Sequence, residues 1–182
     1  MYRLIVVCLL VAGQLVAGDH CSGSFSRGPY SATWDIKLGA QARNDAIEFT
    51  ISHSRSDVWL GVGFKLPNDN SMPNTDFAYG FVMPNGQTVL IDSFISGYGR
   101  PTTDEFQNVN SVSSSSVPGR QEITFTKSRK SVDDGNFPDL EGKYLVFPAS
   151  PGRAGLSIHK HQRSPIVSNI KLEFNACRAS SK

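Results

Sequence analysis

Met72 stands out in the loop LPNDNSMPNTD as a soft thioether among turn-forming residues. Far downstream, LSIHKHQRSP carries His159 and His161. In an extended segment a His-x-His pair points to one side, which suits a divalent metal. Two imidazoles are nonetheless too few to hold zinc alone. One thioether with one imidazole allows different chemistry, because that pair holds haem iron in many cytochromes and raises its reduction potential. Each residue also has a plainer role, methionine as a gap filler and histidine as a hydrogen-bonded surface group. The other two histidines, His20 and His53, have no metal-ligand spacing to any neighbour.

Templates for catalysis are missing. No G-x-S-x-G elbow or H-E-x-x-H motif occurs, and no glycine-rich loop opens a helix to cradle phosphate. The acidic stretch with Asp133, Asp134, Asp139 and Glu141 lacks EF-hand spacing and reads as a solvated loop. No enzyme activity is expected from these residues.

Met72 lies between two segments that alternate like strands. In the first, Val58, Leu60, Val62 and Phe64 share one face, and Trp59, Gly61 and Gly63 share the other. Two glycines on one strand face mark a bulge or the close approach of another group. In the second, Phe77, Tyr79 and Phe81 alternate with Ala78, Gly80 and Val82. A flat macrocycle needs an apolar wall with small gaps and cations for its acid groups. Trp59, Gly61, Gly63, Phe77, Tyr79 and Phe81 are the expected wall, with Arg153, Lys160 or Arg163 as the charges.

The rest of the chain reads as short strands and turns. Residues 32–38, 46–53, 88–95, 120–127, 143–147 and 166–174 are expected strands, and Pro84-Asn85-Gly86 is a tight-turn signal. The serine-rich residues 111–116 fit an edge strand or a mobile loop equally well. No segment sustains a helical period. The expected class is all-β, an immunoglobulin-like β-sandwich of about nine to eleven antiparallel strands.

Charge is nearly balanced, 18 basic against 16 acidic residues for a net +2, and it is scattered. That excludes the basic stripe of a nucleic-acid or membrane-surface binder. Residues 1–18 have Arg3, an apolar run and small residues at the end, as a cleaved signal peptide does. The apolar run is shorter than the roughly 20 residues needed to span a bilayer, so no transmembrane segment is expected in the mature chain. Removing Cys8 with the leader leaves Cys21 and Cys177, an even count that implies one disulfide in an oxidising compartment. The expected division is leader 1–18, one domain 19–177 and a tail 178–182, with the protein secreted and extracellular.

The order of motifs resembles the DOMON family. Gly63-Phe64 precedes the loop, and Met72-Pro73-Asn74-Thr75-Asp76, Gly80 and Asp92 follow. Pro101-Thr102-Thr103-Asp104 comes next, with Gln107 after it. Phe125, Arg129, Asp133 and Asp134 stand where the family has a strand leading to arginine and acids. His161 precedes the final strand in Lys160-His161-x-x-x-Pro165.

The resemblance implies a β-sandwich that binds haem b or, in other members, sugar or another ligand. It implies Met72 and His161 as the iron's axial ligands, with His159 as the alternative on the same strand face. The sequence contains none of the dehydrogenase, copper monooxygenase or transmembrane cytochrome modules to which members are often fused. An extracellular redox partner is therefore expected to be a separate molecule. Three readings stay open: a small electron-transfer protein with haem b, a haem-free module recognising carbohydrate or another small ligand, and an adhesion domain with no small ligand.

Overall fold

Alternating burial shows why these residues form strands. In Ala46–His53, Ile47, Phe49 and Ile51 are buried while Glu48, Thr50 and Ser52 are only half-buried, and Arg120–Ser128 repeats the pattern. The computed structural model describes residues 21–66, 72–131, 138–155 and 158–181. The leader, His20, Asp133 and Asp134 lie outside the described residues. Among those described, the strands in chain order are β1 (Ser22–Arg27), β2 (Tyr30–Lys37), β3 (Ala46–His53), β4 (Leu60–Lys65), β5 (Thr75–Val82) and β6 (Thr88–Ile95). They continue with β7 (Thr102–Thr103), β8 (Val109–Val117), β9 (Arg120–Ser128), β10 (Tyr144–Phe147) and β11 (Ile166–Lys171).

All pairings are antiparallel, in a five-stranded sheet ordered β1-β2-β3-β9-β8 and a six-stranded sheet ordered β11-β10-β4-β5-β6-β7. This is the expected all-β sandwich. Its core lies between the sheets, where Phe49 meets Phe64 edge-on at 5.9 Å and stacks on Phe125 at 5.6 Å. Each such fully buried ring contributes roughly 1.5–3 kcal/mol from the water it sheds. Polar side chains also tie the sheets. The Tyr30 hydroxyl donates to the Gly61 carbonyl at 2.8 Å, and the Gln121 amide bonds the backbone at Val58 and Val82.

Strands β4 and β5 are buried at every position. A strand facing solvent on one side would alternate, so both faces of the six-stranded sheet are covered at β4 and β5. A second apolar cluster covers the outer face with Trp59, Phe77, Tyr79, Phe81 and Ile95. That second layer holds the candidate site.

Three details differ from the sequence reading, and one choice it left open is decided. Residues 111–116 belong to a true strand, β8, at a sheet edge. The connection at 39–45 contains a single 3₁₀ turn, Ala42–Asn44. Strands β1 and β7 carry no strong alternation and were not expected. The expected strand 166–174 ends at Lys171, and a helix, α1 (Phe174–Ser180), follows. Seven residues are too few for a helical period to register.

Tertiary ties hold α1 in place instead. The Asn175 N–H donates to Glu141 at 3.1 Å, Arg178 pairs with Asp45, and the Arg129 guanidinium lies 5.1 Å from the Phe174 ring. The Cys21–Cys177 disulfide bridges a sequence separation of 156 residues and binds α1 to the start of β1. Closing a loop of that length stabilises the fold by up to about 5 kcal/mol in the chain-entropy model.

Candidate functional site

Strand register builds the floor of a cavity on the outer face of the six-stranded sheet. Val167, Val146 and Phe77 line it from β11, β10 and β5, and Gly63 of β4 sits between Val146 and Phe77 in the register, beneath the Thr75 and Val146 side chains. Two loops, residues 98–101 and 158–165, close the sides. The enclosed volume is about 630 Å³, within the roughly 300–1,000 Å³ usual for small-molecule sites. Trp59, Met72, Phe77, His159 and His161 all line it, so the fold gathers residues from widely separated segments.

The Met72 turn is fixed by hydrogen bonds. The Thr75 hydroxyl donates to the Met72 carbonyl at 2.9 Å. The Lys65 ammonium, on a residue only 1% exposed, donates to the Pro73 carbonyl at 2.7 Å. Asn74 takes a left-handed backbone, φ 57°, which asparagine tolerates better than most residues. The Met72 side chain is half-buried against the Trp59 and Phe77 cluster.

On the opposite wall, the histidine segment is stitched to the sheet. Trp59 Nε1 donates to the His159 carbonyl at 2.8 Å, and the His159 N–H donates to Arg153 at 3.0 Å. Gly152 permits this contact, because a Cβ there would meet the His159 carbonyl oxygen at 2.3 Å. The two histidines then differ. His159 is exposed, whereas both ring nitrogens of His161 are buried with no hydrogen-bond partner among the described residues. Burial and the Lys160 charge lower the His161 pKa, and the nearby Arg163 backbone offsets this only in part and forms no well-aligned bond.

Four expected wall residues, Gly61, Gly63, Tyr79 and Phe81, do not line the cavity. Tyr79 stacks on Phe77 at 5.5 Å beneath the surface and is 8% exposed. Gly61 and Gly63 receive neighbouring side chains and touch no ligand space. A Cβ at Gly61 would meet Phe77 Cζ at 2.9 Å, and one at Gly63 would meet Thr75 Cγ2 at 2.8 Å. Gly61 thus makes room for the Phe77 and Tyr79 side chains, and Gly63 for those of Thr75 and Val146. Phe81 joins the aromatic layer without reaching the cavity. Among the expected cations, Lys160 lines the cavity while Arg153 pairs with Asp57 at 3.6 Å. Lys65 and Arg100 also line it, and sequence reasoning missed both.

The acidic motif residues act elsewhere. Lys127 crosses the core to Asp92 at 2.6 Å and Asp76 at 3.1 Å. Burial alone would lower the Lys127 pKa, but the two carboxylates outweigh it and raise it. Oxygens of Asp76, Asp92 and Asp104 lie within 4.8 Å of one another, a spacing that suits a metal ion, and the Lys127 ammonium pairs with two of the three carboxylates. Gln107 clamps the Asp92 backbone, accepting from its N–H at 2.6 Å and donating to its carbonyl at 3.0 Å. Arg129 pairs with Asp45, Asp139 and Glu141. These residues hold the fold together.

Residues 27–150 match the DOMON domain. The chain belongs to the DOMON domain family. Among solved structures, the cytochrome domain of Myriococcum thermophilum cellobiose dehydrogenase superposes with a TM-score of 0.63 at 13% sequence identity. The match covers 88% of this chain and 86% of that one, so the whole DOMON sandwich is shared. No curated protein matches the chain in sequence. No helix among the described residues is long and apolar enough to cross a membrane.

Proposed function

We propose that this DOMON domain binds haem b in the outer-face cavity and carries single electrons outside the cell. The observation that carries the reading is His161. A buried imidazole with two unpartnered nitrogens is costly unless a ligand satisfies it, and it shares its cavity with the Met72 thioether. Likeness in fold to a cytochrome domain supports the same reading. Met72 and His161 would hold the iron, Trp59 and Phe77 would face the macrocycle, and Arg100 or Lys160 would meet its acid groups.

Haem would supply a one-electron couple, and ligation by the Met72 thioether and the His161 imidazole would raise its potential. The chain's own residues do the rest. The Thr75 and Lys65 bonds fix the Met72 backbone, and the Trp59 and Gly152 contacts place the histidine segment. The aromatic layer excludes water. The Cys21–Cys177 bond fits an oxidising compartment and hence secretion with removal of residues 1–18.

Haem titration of purified protein tests the reading. One equivalent is expected to produce a saturating Soret band, with affinity reduced at least about tenfold in His161→Ala and little changed in His159→Ala. Protein that stays colourless, or that loses haem equally in both variants, contradicts it.

A further inference from the structure

The loops bordering the cavity, residues 96–101 and 158–165, contain no aspartate or glutamate but carry Arg100, Lys160 and Arg163. All three are exposed, and none forms an ion pair among the described residues. This is unlike much of the basic surface, where Lys37, Arg55, Arg120, Lys130 and Lys171 sit against carboxylates within 3.5 Å. Among the described residues, the cavity lining likewise holds Lys65, Arg100 and Lys160 and no acidic residue.

Tyr98 stands on the same rim and is 82% exposed, the most exposed large hydrophobic residue described. Flanking Gly97 and Gly99 have nothing within 4 Å of where a Cβ would be, so the ring projects from an open loop. An exposed tyrosine beside arginine and lysine, free of local neutralisation, is the composition of an interaction hot spot with a positive field.

We infer that this rim, centred on Tyr98, Arg100, Lys160 and Arg163, is a docking surface for an acidic protein partner. The charges surround a cavity mouth and do not run along a groove, and Tyr98 is the one rim aromatic free to stack. That arrangement fits a compact protein face better than an extended acidic glycan, which would need several spaced platforms. The small patch suits a brief, electrostatically steered encounter of the kind redox partners make. Electron exchange through this rim rests on the haem reading; the docking itself does not.

The test uses the protein without haem, so the two claims fail separately. Hexacyanochromate(III), an inert paramagnetic trianion, is titrated while backbone amide signals are followed by NMR. Broadening is expected in residues 96–101 and 158–165, to disappear in Arg100→Glu/Lys160→Glu, and to persist in Arg27→Glu on the other sheet. Polyglutamate, standing in for an acidic protein, is expected to shift the same signals. Its affinity is expected to fall about tenfold at low salt in the double variant and in moderate salt for the native chain. Broadening spread evenly over the surface overturns the proposal. So does tighter saturation of these signals by length-matched polygalacturonate, which would assign the rim to an acidic glycan.

Discussion

Single residues in this protein divide between those that hold the sandwich and those that face the cavity, and side-chain type alone does not separate them. Lys127 is 1% exposed, with Asp76 and Asp92 as its partners. Removing one member of a buried ion set typically costs about 3–5 kcal/mol, because the remaining charges lose their compensation. Lys127→Ala is expected to lose that much in urea denaturation at pH 7. Adding Asp76→Asn and Asp92→Asn should restore most of it, and a single-variant loss under about 1 kcal/mol would contradict the assignment. Met72 and His161 were singled out in the sequence by the chemistry of a thioether with an imidazole and by the family resemblance, and the structure places both at one cavity. Lys127, Arg100 and Gly152 were not singled out, since their roles come from register and loop placement across distant segments. Asp76 and Asp92 entered the sequence reading only as positions of the DOMON resemblance, and the structure gives them to the core.

Elements show the same division between alternation and tertiary contact. Strands β2, β3 and β9 were readable because one face of each is buried, whereas β1, β7 and α1 depend on neighbours the sequence does not display. In β4, Gly61 serves the aromatic layer. Gly61→Ala would set a Cβ 2.8 Å from the Ala78 carbonyl oxygen, a backbone atom that yields little. Thermal melts should show about 1–3 kcal/mol of destabilisation, while Gly97→Ala, with open space around it, should be close to neutral.

The ties around α1 predict a pH dependence. Asp139 is held down to about 2, burial opposing and the Arg129 and Lys130 bonds outweighing it. A depressed carboxylate stabilises the fold above its unfolded pKa of about 4 and loses that contribution as pH falls to about 2. Asp139 is 26% exposed, so screening reduces the effect to about 1 kcal/mol. Acid titration of stability should show that extra loss in the native protein and not in Asp139→Asn.

At the scale of the whole molecule, two sheets with a second apolar layer bring a loop before β5 and a loop before β11 to one cavity. The sandwich class and the disulfide followed from alternation and cysteine count. The cavity did not, because it depends on the outer face of the six-stranded sheet being covered and not solvated. The central claim is that Met72 and His161 together complete the coordination of haem iron in that space. Carbon monoxide tests it most directly, since it needs an open iron position. The reduced, haem-loaded native protein is expected to show no carbon monoxide difference spectrum, whereas Met72→Ala should bind the gas readily while keeping its haem. Ready binding by the native protein, or identical behaviour in Met72→Ala, would contradict the account.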